Sequence, residues 1–192
     1  MNPYLIRRLA PSDAELLIHY FQTLDYHHQP EWQTCYCQFY HQDCSMDQWI
    51  EQSKHGKNEA ITCEDIQSGR MHGYLIFDGE LLIGWLNANH YQRYLRLVKS
   101  LHPYLTSPYT AVMICFVIHP DYRGQGVARQ LLQYAIHDLH EQGYQSIIAL
   151  PREDPHHPEH RYRGTFHMYE GAGFTLVNEE LPLRIYRYSY EQ

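Results

Sequence analysis

Residues 113–132 read MICFVIHPDYRGQGVARQLL, and this stretch decides the fold. Residues 111–118 form an almost unbroken apolar run, rich in β-branched and aromatic side chains, which is typical of a strand buried on both faces. Pro120 ends the run, a turn with two glycines follows at 123–126, and apolar residues then recur at helical spacing. The stretch therefore predicts a buried strand that leads through a glycine turn into a helix.

The predicted turn has the properties of an anion-binding site. A helix that starts after such a turn directs several backbone N–H groups and the positive end of its dipole at one point. Gly124 and Gly126 would let an anion approach the backbone closely, and Arg123 adds a positive charge. We interpret the turn as a pyrophosphate site; the alternative is a plain connection between strand and helix, since short glycine motifs often occur without a ligand. The phosphate-binding motifs G-x-x-x-x-G-K-[ST] and G-x-G-x-x-G are both missing from the sequence.

Two sequence elements resemble the GNAT superfamily of acetyl-CoA-dependent N-acetyltransferases. Residues 123–128, RGQGVA, match the signature [RQ]-x-x-G-x-[GA] of that superfamily, and the preceding IHPDY at 118–122 is similar to its usual lead-in. Residues 168–174, MYEGAGF, resemble the end of a helix that follows later in the superfamily. The two elements occur in the expected order, and the resemblance covers roughly residues 70–190.

The resemblance implies a fold and an activity. The fold would be a single α/β domain over residues 1–192, with a mixed central β-sheet flanked by helices and with splayed central strands. The activity would be transfer of an acetyl group from acetyl-CoA to a primary amine of a small molecule or peptide. The alternative is a GNAT-like protein that binds acyl-CoA for regulation or has lost catalysis.

The resemblance also implies a set of residues that bind acetyl-CoA. The backbone of two residues on the central strand would pair with the pantetheine arm, and the amides of the turn would hold the pyrophosphate. Together the cofactor-binding residues are Phe116, Ile118, Arg123, Gly124, Gln125, Gly126, Val127, Ala128 and Arg129.

Tyr169 matches the tyrosine that protonates the departing thiolate in many members of the superfamily. Its unperturbed pKa of about 10 suits that role. The sequence departs from the superfamily at two other positions: Val112 stands where some members have a glutamate base, and Tyr162 replaces a frequent asparagine. The candidates that remain for the base are His119, Glu153, His167 and Glu170.

Composition limits the other classes of function. Of the 192 residues, 44% are hydrophobic and 19% charged, which indicates one folded domain. The net charge of −7 argues against a nucleic-acid partner and favours a cationic small substrate. We expect a monomer or a homodimer. No apolar window is long enough to span a membrane and the start lacks the apolar core of a signal peptide, so we expect a cytoplasmic protein.

Two groups of residues raise the question of a metal site. Cys35, Cys37, His41 and Cys44 are of the types that zinc prefers, but their spacing is unusual, so we expect reduced cysteines in a buried wall near the substrate. Residues 153–163 hold His156, His157 and His160, and we interpret this segment as a solvated loop. We therefore expect no metal.

Local signals predict the remaining elements. Residues 4–9 read as a first strand, and Ser12 with Glu15 forms a capping box for the next helix. Residues 45–48, SMDQ, are typical of a helix start, and we expect two helices within 46–67 that break at Gly56. We also expect a hairpin of 73–77 with 81–89 that turns at Asp78 and Gly79, and a terminal hairpin of 174–177 with 183–190. A helix is expected over 91–101, with solvated Arg93, Arg96 and Lys99.

Overall fold

The computed structural model describes residues 4–27, 29–153, 156, 158–180 and 184–190. The strands are β1 (Leu5–Arg8), β2 (Gly73–Asp78), β3 (Leu81–His90), β4 (Thr110–Ile118), β5 (Ser146–Ala149), β6 (Thr175–Asn178) and β7 (Ile185–Ser189). The helices are α1 (Ala14–Thr23), α2 (Met46–Lys54), α3 (Lys57–Gln67), α4 (Val98–Leu101), α5 (Val127–Glu141) and α6 (Phe166–Glu170).

The strands form one mixed sheet in the order β1-β2-β3-β4-β5-β7-β6. The pair β4–β5 is parallel and the other neighbours are antiparallel. Helices cover both faces, because the buried strands are apolar on both sides. This arrangement confirms the predicted α/β fold.

Each face of the sheet has its own core. On the side that we call the α1 face, Leu17 and Phe21 of α1 and Ile66 of α3 belong to one apolar cluster with Trp85. On the opposite side, the α5 face, the apolar stripe of α5 belongs to a second cluster with Tyr169 of α6. The sheet therefore separates the two groups of helices.

A β-bulge interrupts β4 at Ile114. Ala88 of β3 pairs with Met113, but its neighbour Asn87 pairs with Cys115, so Ile114 has no partner on β3. The parallel partner β5 reaches only as far as Met113. Because bulges bend the strand that carries them, β4 continues past this point without β5, and the two central strands splay.

Several local signals are confirmed. Ser45 caps α2: its hydroxyl accepts from the N–H of Gln48, whose side chain in turn accepts from the N–H of Ser45. Gly56 lies between α2 and α3 with φ of +65°, a conformation that glycine adopts without strain. Gly79, with φ of +59°, closes the hairpin of β2 and β3.

The predicted capping box at Ser12 is wrong. A 3₁₀ turn, Pro11–Asp13, precedes α1, and it is the Asp13 carboxylate that accepts from the N–H of Ala10 at 2.7 Å. Arg7 of β1 also donates to Asp13 at 2.5 and 2.8 Å and lowers the pKa of that carboxyl group. The partner of the carboxylate thus lies on β1, outside the four residues 12–15 that suggested the capping box.

The single helix predicted over residues 91–101 is also wrong. A 3₁₀ turn at Tyr91–Arg93 and the short α4 replace it, because Tyr94 turns into the core, where its hydroxyl bonds with Asn87 and with the carbonyl of Val112. Arg96 is not on a solvated face either. Its Nε donates to the carbonyl of Phe39 at 2.8 Å.

Parts of two predictions lie outside the described residues. These are His157 of the histidine-rich segment and Leu183, at which the last strand was expected to begin. A terminal antiparallel pair, β6 with β7, is nevertheless present. None of the helices that the structure describes combines the length and apolar character needed to cross a membrane.

Candidate functional site

The turn between β4 and α5 presents backbone N–H groups to solvent. Gly124 and Gly126 have φ of +74° and +79°, and the turn from Arg123 to Gly126 is exposed. The first helical bond of α5 runs from the N–H of Gln130 to the carbonyl of Gly126. The N–H groups of the helix residues before Gln130 therefore have no helical acceptor.

The space around the two glycines is open. A Cβ built on Gly124 or on Gly126 would meet no atom of the described chain within 4 Å. A positive φ allows the tight turn, and the missing side chains leave room beside the backbone. The turn therefore fits an anionic group that approaches the start of α5.

The end of β4 has a free backbone edge. The N–H of His119 donates to the carbonyl of Ile83 at 2.9 Å. Pairs alternate along an antiparallel ladder, so Val117 faces β3, whereas the N–H and C=O groups of Phe116 and Ile118 point away from β3. On that side β5 has already ended. Apart from the carbonyl of Ile118, these groups have no hydrogen-bond partner in the described chain and are available to an amide-bearing ligand.

Arg123 links the free edge to the turn. Its Nε donates to the carbonyl of Ile118 at 3.0 Å, so one of the expected pantetheine contacts has a partner within the chain. The two terminal nitrogens of Arg123 make no hydrogen bond in the described part of the chain, and the side chain is exposed. They remain available to a phosphate group.

Tyr169 lies at the inner end of the free edge. Its ring is edge-on to that of Phe116, with centroids 6.3 Å apart, and it is fully buried. Its hydroxyl donates to the carbonyl of Arg163 at 3.0 Å, and burial raises the pKa of the phenol. The phenol therefore holds its proton at neutral pH, close to the strand that would bind the thioester.

Gly164 has no side chain and so leaves the space that the ring of Tyr169 occupies. A Cβ at Gly164 would lie 2.7 Å from the ring of Tyr169 and 2.6 Å from Met168, and its φ is +83°. Only glycine fits there without a shift of its neighbours.

The four candidates for the general base have other contacts or are exposed. His119 accepts from the N–H of Asp121, Glu153 accepts from the N–H of Phe166, and Glu170 accepts from the hydroxyl of Tyr186. The side chain of His167 is exposed. In the described chain none of the four hydrogen-bonds to Tyr169. The structure thus places the strand edge beside Tyr169 and links it to the turn through Arg123, whereas the contacts of the four candidate bases single out none of them.

The four residues of the cysteine-rich segment have separate partners. His41 uses both ring nitrogens, toward the carbonyl of Arg93 and the amide of Asn87. The sulfur of Cys44 lies 3.5 Å from Arg96. Among the described residues no group of three or more metal-ligating side chains converges.

Two thiols of this segment, those of Cys35 and Cys37, would have to lose a proton to bind a metal. Burial raises the pKa of Cys35 to about 12. The pKa of Cys37 is raised by its contact with Cys115 and by burial. Both are thiols at neutral pH, whereas zinc binds the thiolate.

We therefore expect elemental analysis to find clearly less than one zinc per chain in protein purified without a metal-affinity tag. The cysteines should react as free thiols after denaturation. One zinc per chain that is lost in Cys35→Ser or Cys37→Ser would contradict this expectation.

The sequence analysis missed a cluster of three side chains beside the site. Arg163 donates to the hydroxyls of Tyr40 and Tyr162. The end of the segment 153–163 is thus packed against the α1 face and is not the solvated loop that its composition predicts. The only signal in the sequence was the replacement of asparagine by Tyr162.

The fold is shared by solved acetyltransferases. PaiA N-acetyltransferase from Thermoplasma acidophilum, solved in complex with coenzyme A, is 17% identical, with a TM-score of 0.56 over 97% of this chain and 99% of its own. A putative GNAT acetyltransferase from Desulfovibrio desulfuricans is 17% identical, with a TM-score of 0.58 over 97% and 98%. The ribosomal-protein-S5-alanine acetyltransferase from Vibrio fischeri is 13% identical, with a TM-score of 0.55 over 98% and 94%.

The sequence itself identifies the family. A comparison with curated protein sequences finds no significant match. A profile described as "Acetyltransferase (GNAT) family" matches residues 25–174, which is more than half of the chain and includes both the turn and Tyr169. The chain belongs to the GNAT acetyltransferase family.

Proposed function

We propose that this protein transfers an acetyl group from acetyl-CoA to a primary amine of a small molecule or peptide. One observation carries the proposal: an open anion-binding turn directly follows a strand whose edge is free. The two features suit the pyrophosphate and the amide-rich arm of one extended ligand. That relatives of the same fold were solved with coenzyme A supports this assignment.

The turn would bind the pyrophosphate. The N–H groups of Val127, Ala128 and Arg129 point out of the start of α5, and Arg123 adds a fixed charge. Gly124 and Gly126 leave the space that the phosphates need. These contacts position the ligand and do not take part in bond breaking.

The free edge and Tyr169 would act at the reacting end. Acetyl-CoA supplies an acyl group activated as a thioester. The N–H and C=O groups of Phe116 and Ile118 would hold the arm in register beside β4, and Arg123 would release the carbonyl of Ile118. The amine nitrogen would attack the carbonyl carbon of the thioester, so that the amide bond forms as the C–S bond breaks. Tyr169 would donate its proton to the leaving thiolate, which requires its hydroxyl to turn from the carbonyl of Arg163, and the proton that the nitrogen loses would return to Tyr169 through solvent.

One alternative function has its own support. A GNAT-like protein that binds acyl-CoA without turnover would need the turn and the free edge but no general base. Val112 replaces a glutamate and is fully buried, and the hydroxyl of Tyr169 already has an acceptor. Only turnover separates this alternative from the transferase.

We expect coenzyme A to raise the melting temperature, because a ligand present at about 100 times its Kd stabilises the folded state by about 2.7 kcal/mol. Acetyl-CoA should release free thiol when a suitable amine is added, in a screen of polyamines, aminoglycosides, amino acids and peptides. A melting shift without thiol release for any amine would favour the regulatory alternative. No shift at millimolar coenzyme A would contradict both.

A further inference from the structure

Three side chains form a partly buried cluster on the α1 face, which we call the Tyr–Arg cluster: Tyr40, Tyr162 and Arg163. Arg163 Nε donates to the hydroxyl of Tyr162 at 3.2 Å, and its Nη2 donates to the hydroxyl of Tyr40. The two hydroxyls lie 3.2 Å apart. The guanidinium carbon is 5.3 and 5.7 Å from the two ring centroids. The phenol oxygens thus orient the guanidinium but carry no negative charge.

Arg163 has no counterion in the described chain. Arg7 and Arg8, in contrast, form ion pairs with Asp13 and Asp138. No carboxylate lies within ion-pair distance of Arg163, and the two N–H groups of its Nη1 have no acceptor among the described residues. Nη1 of Arg163 is not among the described buried nitrogens that lack a partner, so water reaches it, and an anionic ligand would replace this water and neutralise the charge.

The cluster lies next to the proposed reaction site. The carbonyl of Arg163 accepts from the hydroxyl of Tyr169. Tyr40 and Tyr162 pack with Cys115, which directly precedes Phe116 on the free edge of β4. The turn starts α5, which covers the opposite face. A ligand arm that runs from the turn past Ile118 to Phe116 would reach Tyr169, whose hydroxyl contacts the carbonyl of Arg163. The acyl end of the arm would then lie near the Tyr–Arg cluster.

The charge of the cluster selects among acceptor amines. Nη2 makes only one hydrogen bond among the described residues, so its second N–H and an N–H of Nη1 can donate in parallel to the two oxygens of a carboxylate. The tyrosines add shape and apolar area around the guanidinium. The guanidinium would repel a purely cationic amine such as a polyamine. Repulsion between like charges in a partly buried site disfavours such an acceptor strongly. The positive charge of the cluster therefore argues against the purely cationic substrate that the net charge of −7 favours.

We propose that Arg163, oriented by Tyr40 and Tyr162, binds the carboxylate of the acceptor, so that the acceptor is a free amino acid or a similar small amine that carries a carboxylate. This inference rests on the proposed transferase activity and names its substrate class. The carboxylate would fix the acceptor at the free edge of β4 with its amine toward the acetyl group.

The test uses pairs of primary amines that differ only in the carboxylate. Amino acids and their carboxamides, for example phenylalanine with phenylalaninamide and β-alanine with β-alaninamide, are compared by free-thiol release from acetyl-CoA. For the best pair we expect the carboxylate member to have a kcat/KM at least about tenfold higher. In Arg163→Met this ratio should fall toward one, with the loss seen as a higher KM for the amino acid.

Arg161→Met is the matched control, because Arg161 is an exposed arginine two residues earlier in the same 3₁₀ segment. It should keep the ratio of the wild type. If Arg163→Met does not fold, Tyr40→Phe, which removes one of the two orienting hydroxyls, should still lower the ratio.

Wild-type protein that acetylates the carboxamides as well as the amino acids would overturn the inference and leave the transferase proposal intact. An unchanged ratio in Arg163→Met, or an equal loss in Arg161→Met, would also overturn it. If coenzyme A raises the melting temperature but no amine of the panel is acetylated, the transferase proposal fails and the inference fails with it.

Discussion

Replacing Gly126 with valine is expected to abolish the stabilisation of this protein by coenzyme A. Gly126 has φ of +79°, and its missing side chain leaves open space at the start of α5. A valine would fill the space that the pyrophosphate needs and would disfavour the left-handed conformation of the turn. The melting temperature is measured at increasing concentrations of coenzyme A. A concentration of 100 times the wild-type Kd stabilises the wild type by about 2.7 kcal/mol. Loss of this stabilisation in the variant corresponds to an affinity that is weaker by roughly a hundredfold or more.

Gly143→Val is the matched control. Gly143 has φ of +86° and is also free of neighbours within 4 Å, but it follows the other end of α5, roughly 25 Å from Gly126. Both variants should lose about 1–2 kcal/mol of stability from the left-handed conformation. Only Gly126→Val should lose the response to coenzyme A. An equal response in both variants would show that the turn is a plain connection.

Replacing Tyr169 with phenylalanine is expected to lower turnover by roughly 10²–10⁴-fold, the usual contribution of a general acid. Affinity for acetyl-CoA should change little, because the ring remains packed against Phe116. The structure adds a cost that the sequence does not predict: the hydroxyl donates to the carbonyl of Arg163, so its removal should destabilise the fold by about 1 kcal/mol. Turnover per folded molecule is measured with an accepted amine, beside a thermal melt.

Tyr190→Phe controls for the loss of a hydrogen bond alone. Its hydroxyl also donates to a backbone carbonyl, that of Ile136 in α5. Both variants should show a similar loss of stability, but only Tyr169→Phe should lose turnover. Full turnover in a folded Tyr169→Phe would mean that water or another side chain protonates the thiolate.

Three predictions that rest on short stretches of sequence are confirmed, whereas the capping box at Ser12 is wrong. Ser45 caps α2, Gly56 separates two helices, and Gly79 closes a hairpin. Each signal depends on a few neighbouring residues, since capping and positive φ are properties of the local backbone. Predictions fail where a residue bonds with another element of the fold: Asp13 is held by Arg7 of β1, and Tyr94 bonds with Val112 of β4.

The candidate site follows the same division. The turn at residues 123–126 and the position of Tyr169 could be read from sequence, because motif and spacing lie within one strand–turn–helix unit or one helix end. The Tyr–Arg cluster could not be predicted from the sequence. Tyr40 and Arg163 are 123 residues apart in the chain, and no local pattern relates them.

By itself the sequence determined the strand–turn–helix unit and the family, because backbone conformation and amphipathic spacing are set by adjacent residues. The tertiary structure alone decided where β4 leaves β5: residues 111–118 are apolar throughout, so their pattern does not reveal the bulge at Ile114. It also decided that Arg163 lies beside Tyr169, with no counterion among the residues that the structure describes. Both are properties of chain segments that meet only in the folded sheet, where register and long-range packing fix each side chain.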